Sequence, residues 1–130
     1  NGISSYVTQI LKEGKLDYWG TGTEKREYIH VSDAARLSVK VLGEEHKNTA
    51  ITVTGSQTMT SNELITMIFE ILGLKRNVSF ISSADDVGHY TITPYRYTPQ
   101  SAKKIVPSEF IDLGQGILDI VEKLIQNPEK

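Results

Sequence analysis

The run "TSNELITMIFEILG", Thr60 to Gly73, constrains this chain more than any other stretch. Thr60 and Glu63 stand at the spacing of a capping box, in which the two side chains satisfy backbone N–H groups that have no partner inside a first helical turn. The segment behind them is strongly apolar, and Gly73 supplies a stop. The pattern predicts a helix over 61–72.

Weaker signals surround it. Ile3, Tyr6, Val7, Ile10 and Leu11 recur at helical spacing before Gly14, which predicts a helix over 3–13. "KLDYWG" (15–20), "REYIHV" (26–31) and "NVSFIS" (77–82) read as short strands, and "TAITVTG" (49–55) has the β-branched composition of a buried one. Ser32 and Asp33 read as the N-cap of a helix that places Ala34, Leu37, Val41 and Leu42 on one face. Residues 84–99 read as an irregular loop, "PQSAKKIV" as a brief helix and "LGQGILDIVEKLIQNP" as a longer amphipathic one. Short strands with several helices, no repeats and no low-complexity linker predict a single α/β domain over 1–130, small and α+β-like in character.

Composition removes several functions. Fourteen basic against sixteen acidic residues leave a formal charge of -2, so there is no basic field for nucleic acid. Without cysteine there is no disulfide, thiolate nucleophile or cysteine-bound metal. The longest apolar run, "LITMIF", is too short to span a bilayer, and the absence of a signal peptide fits a cytoplasmic protein. Gly-x-Gly-x-x-Gly, Walker, His-Glu-x-x-His and Gly-x-Ser-x-Gly motifs are all missing, and His30, His46 and His89 lie far apart. The chain opens without methionine and enters a helical pattern at once, which predicts a piece of a longer protein.

"GTGTEKREYIHVSDAA", Gly20 to Ala35, carries the chemistry. A guanidinium is a planar fork of donors matched to phosphate oxygens, and Arg26 follows a glycine-rich loop that a diphosphate can approach. The same spacing also suits a surface arginine paired with Glu24 or Glu27. His30 reads as a structural residue in mid-strand, and Asp33 as a carboxylate facing the positive end of a helix. Tyr18 and Trp19 point to opposite faces of a strand. Either one is buried while the other offers a flat surface to a base or sugar, or both are packing residues. Tyr90, Tyr95, Arg96 and Tyr97 have the composition of a ligand-facing loop, or of one that covers apolar surface.

The same segment resembles the Gly-x-Gly-x-x-x-Arg-Asp-Tyr-Ile-His-Val-x-Asp pattern of the extended short-chain dehydrogenase/reductase family, the NAD-dependent nucleotide-sugar epimerases and dehydratases. "NTAITVTGSQTMTSNELITMIFEILG", "YVTQILKEGKLDYWG", "PQSAKKIV" and "DLGQGILDIVEKL" are similar, in order, to further parts of that family. The resemblance covers nearly the whole chain but only about the last third of a full-length member. It implies a C-terminal substrate-binding domain, with a Rossmann NAD-binding half that is absent from this chain as its partner. It further implies a UDP- or dTDP-sugar ligand, NAD as cofactor of the whole enzyme, and an isomerase-type epimerase or dehydratase activity in sugar metabolism. Arg26 would contact the diphosphate; Asp17, Tyr18 and Trp19 would line the base; Asn1, Gly2 and Ile3 would lie near the nucleotide.

Two departures stand out. The family's second phosphate arginine has acids in its place, "SSADDVGHY", which implies either Arg96 as a substitute from elsewhere or a ligand other than a standard diphosphate sugar. No tyrosine here has the family's lysine four residues later: Tyr6, Tyr18, Tyr28, Tyr90, Tyr95 and Tyr97 are followed by Ile10, Gly22, Ser32, Pro94, Pro99 and Ser101. The expectation is therefore a binding domain that holds no catalytic residue and is inactive alone. The alternative is a non-catalytic module on the same fold that senses a nucleotide or binds a partner.

Overall fold

A computed structural model describes residues 2–81 and 102–127. In chain order these form α1 (Gly2–Glu13), β1 (Leu16–Trp19), β2 (Lys25–Tyr28), α2 (Val31–Lys40), a 3-10 turn (Glu44–His46), β3 (Ala50–Val53), β4 (Gln57–Thr60), α3 (Ser61–Ile71), β5 (Val78–Ile81), β6 (Ala102–Ile105) and α4 (Leu113–Gln126). The strands pair two by two: β1 with β5 in parallel, β2 with β4 antiparallel, β3 with β6 in parallel. Helices and short strands around one core make an α/β domain.

That core is built on α3. Leu64, Ile65, Ile68 and Phe69 are buried there, and meet Val7 and Ile10 of α1, Leu16 and Tyr18 of β1, and Ile117 and Val121 of α4. The capping box forms as the spacing predicts: Thr60 Oγ1 accepts from the Glu63 N–H, and Glu63 Oε2 accepts from the Thr60 N–H at 2.7 Å. Gly14 and Gly73 follow their helices with φ of 67° and 64°, the left-handed conformation that glycine adopts without a Cβ penalty.

Tertiary pairing overrides several local expectations. "REYIHV" is strand only to Tyr28, because His30 is already the N-cap of α2: its Nδ1 accepts from the Ser32 N–H at 3.2 Å. The cap is therefore His30 rather than Ser32 or Asp33. "TAITVTG" does become β3, but with a single neighbour strand among the described residues, its own residues alternate between exposed and half-buried, so it is not a buried strand. β4 was not legible as a strand; "QTMT" has little apolar character and is held by pairing with β2. The largest correction is "PQSAKKIV". Ala and Lys favour helix locally, yet residues 102–105 are β6, paired Ala102 to Ala50 and Ile105 to Val53. A strand ladder satisfies the backbone of β3, which an isolated helical turn cannot do.

Candidate functional site

Arg26 lies in β2, opposite Met59 of β4. Its strand neighbours divide by parity: Tyr28 shares its face, while Glu27 points the other way. Glu27 is held there by Lys104 of β6, 2.5 Å from Oε1, and by the Thr54 hydroxyl. Glu24 is committed as well, to Thr21 and Tyr18. Neither carboxylate pairs with Arg26, and among the described residues no other lies within ion-pair distance of it. The surface-pair reading of this arginine is thereby removed.

The charge of Arg26 is felt by phenols. Burial pushes the Tyr6, Tyr18 and Tyr28 hydroxyls up, Tyr28 to about 12, and the Arg26 guanidinium pulls each of them partly back. These phenols are neutral, so among the described residues they supply no anion to the half-buried guanidinium. Sequence reasoning did not single out Tyr6 or Tyr28 for this role. The two-residue step from Arg26 to Tyr28 was the available signal for one of them.

The glycine-rich loop has an internal explanation. Gly20 and Gly22 have φ of 139° and 80°. A Cβ at Gly20 would come within 2.7 Å of Glu24 Oε1, and one at Gly22 within 2.5 Å of the Phe80 ring. The loop also closes the start of α3: the Ser61 N–H donates to the Glu24 carbonyl and the Asn62 N–H to the Gly22 carbonyl, both at 2.9 Å. The glycines thus let the chain fold tightly against Tyr18, Phe80 and α3, and these N–H groups are already spent. Burial pushes the Glu24 carboxyl up, but donation from Thr21 and Tyr18 outweighs it and holds the group below its usual value.

The remaining sequence-derived residues are dispersed. Tyr18 is 5% exposed, with its ring edge-on to Tyr6 and Phe80 and its hydroxyl 2.7 Å from Ser61 Oγ, so its side chain is a packing group and offers no flat face. Trp19, at 58%, offers the exposed surface of the pair. Asp17 is bound to Lys15 at 3.3 Å. Gly2 and Ile3 open α1, and Ile3 lines a cleft of about 330 Å³ that runs past Tyr28, His30 and the α4 residues Leu113, Ile117 and Ile120. Arg26 does not line that cleft. Asn1, Arg96 and the loop 84–99 lie outside the described residues. Asp33 is buried and does more than face the helix dipole: its Oδ2 accepts from the Ile111 N–H at 2.7 Å and its Oδ1 from Arg36, which ties α2 to the segment before α4.

Residues 1–55, which include Arg26 and the loop, match the model of the family described as "NAD dependent epimerase/dehydratase family". Over 71 residues the chain is 34% identical to dTDP-4-dehydro-6-deoxy-D-allose reductase of Streptomyces bikiniensis, an alignment that covers 55% of this chain and 22% of that protein. The fold is similar to dTDP-glucose 4,6-dehydratase of Bacillus anthracis str. Ames, solved in complex with NAD (TM-score 0.73, 18% identity, 98% of this chain and 40% of that one). It is also similar to UDP-glucuronic acid 4-epimerase of Bacillus cereus, solved with UDP-glucuronic acid and NAD (TM-score 0.68, 18% identity, 95% of this chain and 40% of that one). The chain spans about two fifths of the length of these structures.

Proposed function

We propose that this chain, whose residues 1–55 match the NAD-dependent epimerase/dehydratase family, is the substrate-binding part of a nucleotide-sugar enzyme of the extended short-chain dehydrogenase/reductase type. Arg26 grips the diphosphate of a UDP- or dTDP-sugar through two parallel N–H···O bonds. The base lies along the β1 edge toward Trp19. The observation that carries this reading is a half-buried guanidinium with no carboxylate in reach among the described residues, its charge acting on three phenols.

Where NAD is bound it supplies hydride chemistry, and the residues that hold it belong to a separate dinucleotide-binding unit. This chain has neither a Gly-x-x-Gly-x-x-Gly loop nor a Tyr-x-x-x-Lys pair. Its own contribution is to bind and orient the sugar nucleotide. An apolar line on α2 supports a second unit: Val31, Ala35 and Val39, continued by Leu42 in the following turn, recur at helical spacing and are all exposed. Such a face suits burial against a neighbouring domain.

The lack of a tyrosine–lysine pair equally favours a second reading, a module on this fold that binds a nucleotide without turnover. Calorimetric titration with UDP-glucose, dTDP-glucose and NAD tests the first reading: the sugar nucleotides bind and NAD does not. Micromolar NAD affinity would overturn it. Turnover of a bound sugar nucleotide when the NAD-binding unit is present separates the enzyme from the module.

A further inference from the structure

Glu24 is an unusual residue in this core, a carboxylate only 4% exposed. Among the described residues no cation stands against it. A buried charge is tolerated only where fixed donors replace water. Here the Thr21 N–H donates to Oε1 at 2.6 Å, the Thr21 hydroxyl reaches the same oxygen at 3.0 Å, and the Tyr18 hydroxyl lies 3.3 Å from Oε2. The loop is moulded on this carboxylate, since any side chain at Gly20 would collide with it. The Glu24 carbonyl accepts from the first N–H of α3. One residue therefore fastens the loop to its own turn, to β1 and to α3, two positions before Arg26.

We propose that Glu24 is a positioning residue for the Arg26 site. It sets the direction in which β2 leaves the loop, and its donors keep a carboxylate two residues away from turning onto the guanidinium. The inference rests on Arg26 as the diphosphate contact. Its consequence has an unusual sign. Removing a negative charge near an anion site should by electrostatics alone tighten anion binding. If Glu24 positions Arg26, its removal weakens binding instead.

The test is titration of wild type, Glu24→Gln and Thr21→Val with UDP and with dTDP. Glutamine keeps the size of the side chain but presents N–H groups toward a shell of donors, so part of the latch opens. Glu24→Gln is expected to bind both nucleotides about five- to tenfold more weakly, the scale of one ordinary hydrogen bond. Thr21→Val keeps the charge and removes one donor, and should weaken binding in the same direction by less. In both variants the backbone amide of residue 21 should exchange faster than in wild type. Unchanged or tighter binding by Glu24→Gln overturns the inference while leaving the Arg26 reading intact. Should Glu24→Gln fail to fold, Thr21→Val decides: unchanged affinity overturns the inference. Absence of UDP and dTDP binding by the wild type overturns the Arg26 reading and the inference with it.

Discussion

At the scale of single residues, Arg26 and Gly55 make opposite predictions. The Arg26 side chain has no partner among the described residues that depends on it for folding, so Arg26→Ala should leave the melting temperature nearly unchanged. A charge-assisted contact contributes about 1.5–3 kcal/mol, so the same change should weaken UDP-sugar binding roughly ten- to a hundredfold. Arg26→Lys, which keeps the charge and loses the fork, should fall between. Unfolding by Arg26→Ala with affinity retained in the surviving fraction would make this a structural arginine. Gly55 is the reverse case. A Cβ there would lie 1.6 Å from the Tyr28 carbonyl oxygen, and backbone cannot step aside as a side chain can. Gly55→Ala should destabilise the domain by about 3 kcal/mol or more, read as a lower urea midpoint. A wild-type midpoint would refute that packing.

At the scale of elements, α2 has two apolar-bearing faces with opposite fates. Asp33 and Leu37 are buried on one side, while Val39 is 71% and Leu42 81% exposed on the other. If the outer line is a docking face rather than part of this domain's core, Val39→Lys with Leu42→Lys should change stability by less than about 0.5 kcal/mol per site. Solubility of the chain should rise, because less apolar surface is offered. A large fall in melting temperature would show that this line is already covered. The N-cap of the same helix explains an error of sequence reading. Ser and Asp are preferred caps, but His30 stands where β2 hands over to α2, with its ring packed so close to Gly116 that a Cβ there would lie 3.3 Å from it. Packing chose the cap over propensity.

At the scale of the whole molecule, two buried carboxylates hold segments that are distant in sequence. Glu24 joins the loop to β1, and Asp33 joins α2 to Ile111. Hydrogen bonds, led for Asp33 by the Ile111 N–H and for Glu24 by donation from Thr21 against the opposing effect of burial, hold both groups below their ordinary values of 3.8 and 4.5. A depressed folded value contributes stability above the unfolded value and loses it as pH falls through the folded one. Stability should therefore be flat through neutrality and begin to fall near pH 4.5, with continued loss below 3.8. In Asp33→Asn the slope of this acid limb should be shallower. A limb of equal slope would mean that Asp33 titrates alike in both states.

What the sequence determined by itself was local. The capped helix Ser61–Ile71, the glycine stops at Gly14 and Gly73, and the opposite faces of Tyr18 and Trp19 all follow from contacts within a few residues, so spacing alone carries them. Arg26 was legible as a candidate for the same reason, because a guanidinium beside a glycine-rich loop is a local pattern. Its freedom from Glu24 and Glu27 was not. That depended on Lys104, 77 residues from Glu27, and on a carboxylate buried between Tyr18 and Thr21. The strand at Ala102–Ile105 and the burial of Asp33 beneath Ile111 were decided in the same way. A backbone or side-chain group is satisfied by whichever partner the fold brings near, and that partner is a property of three dimensions.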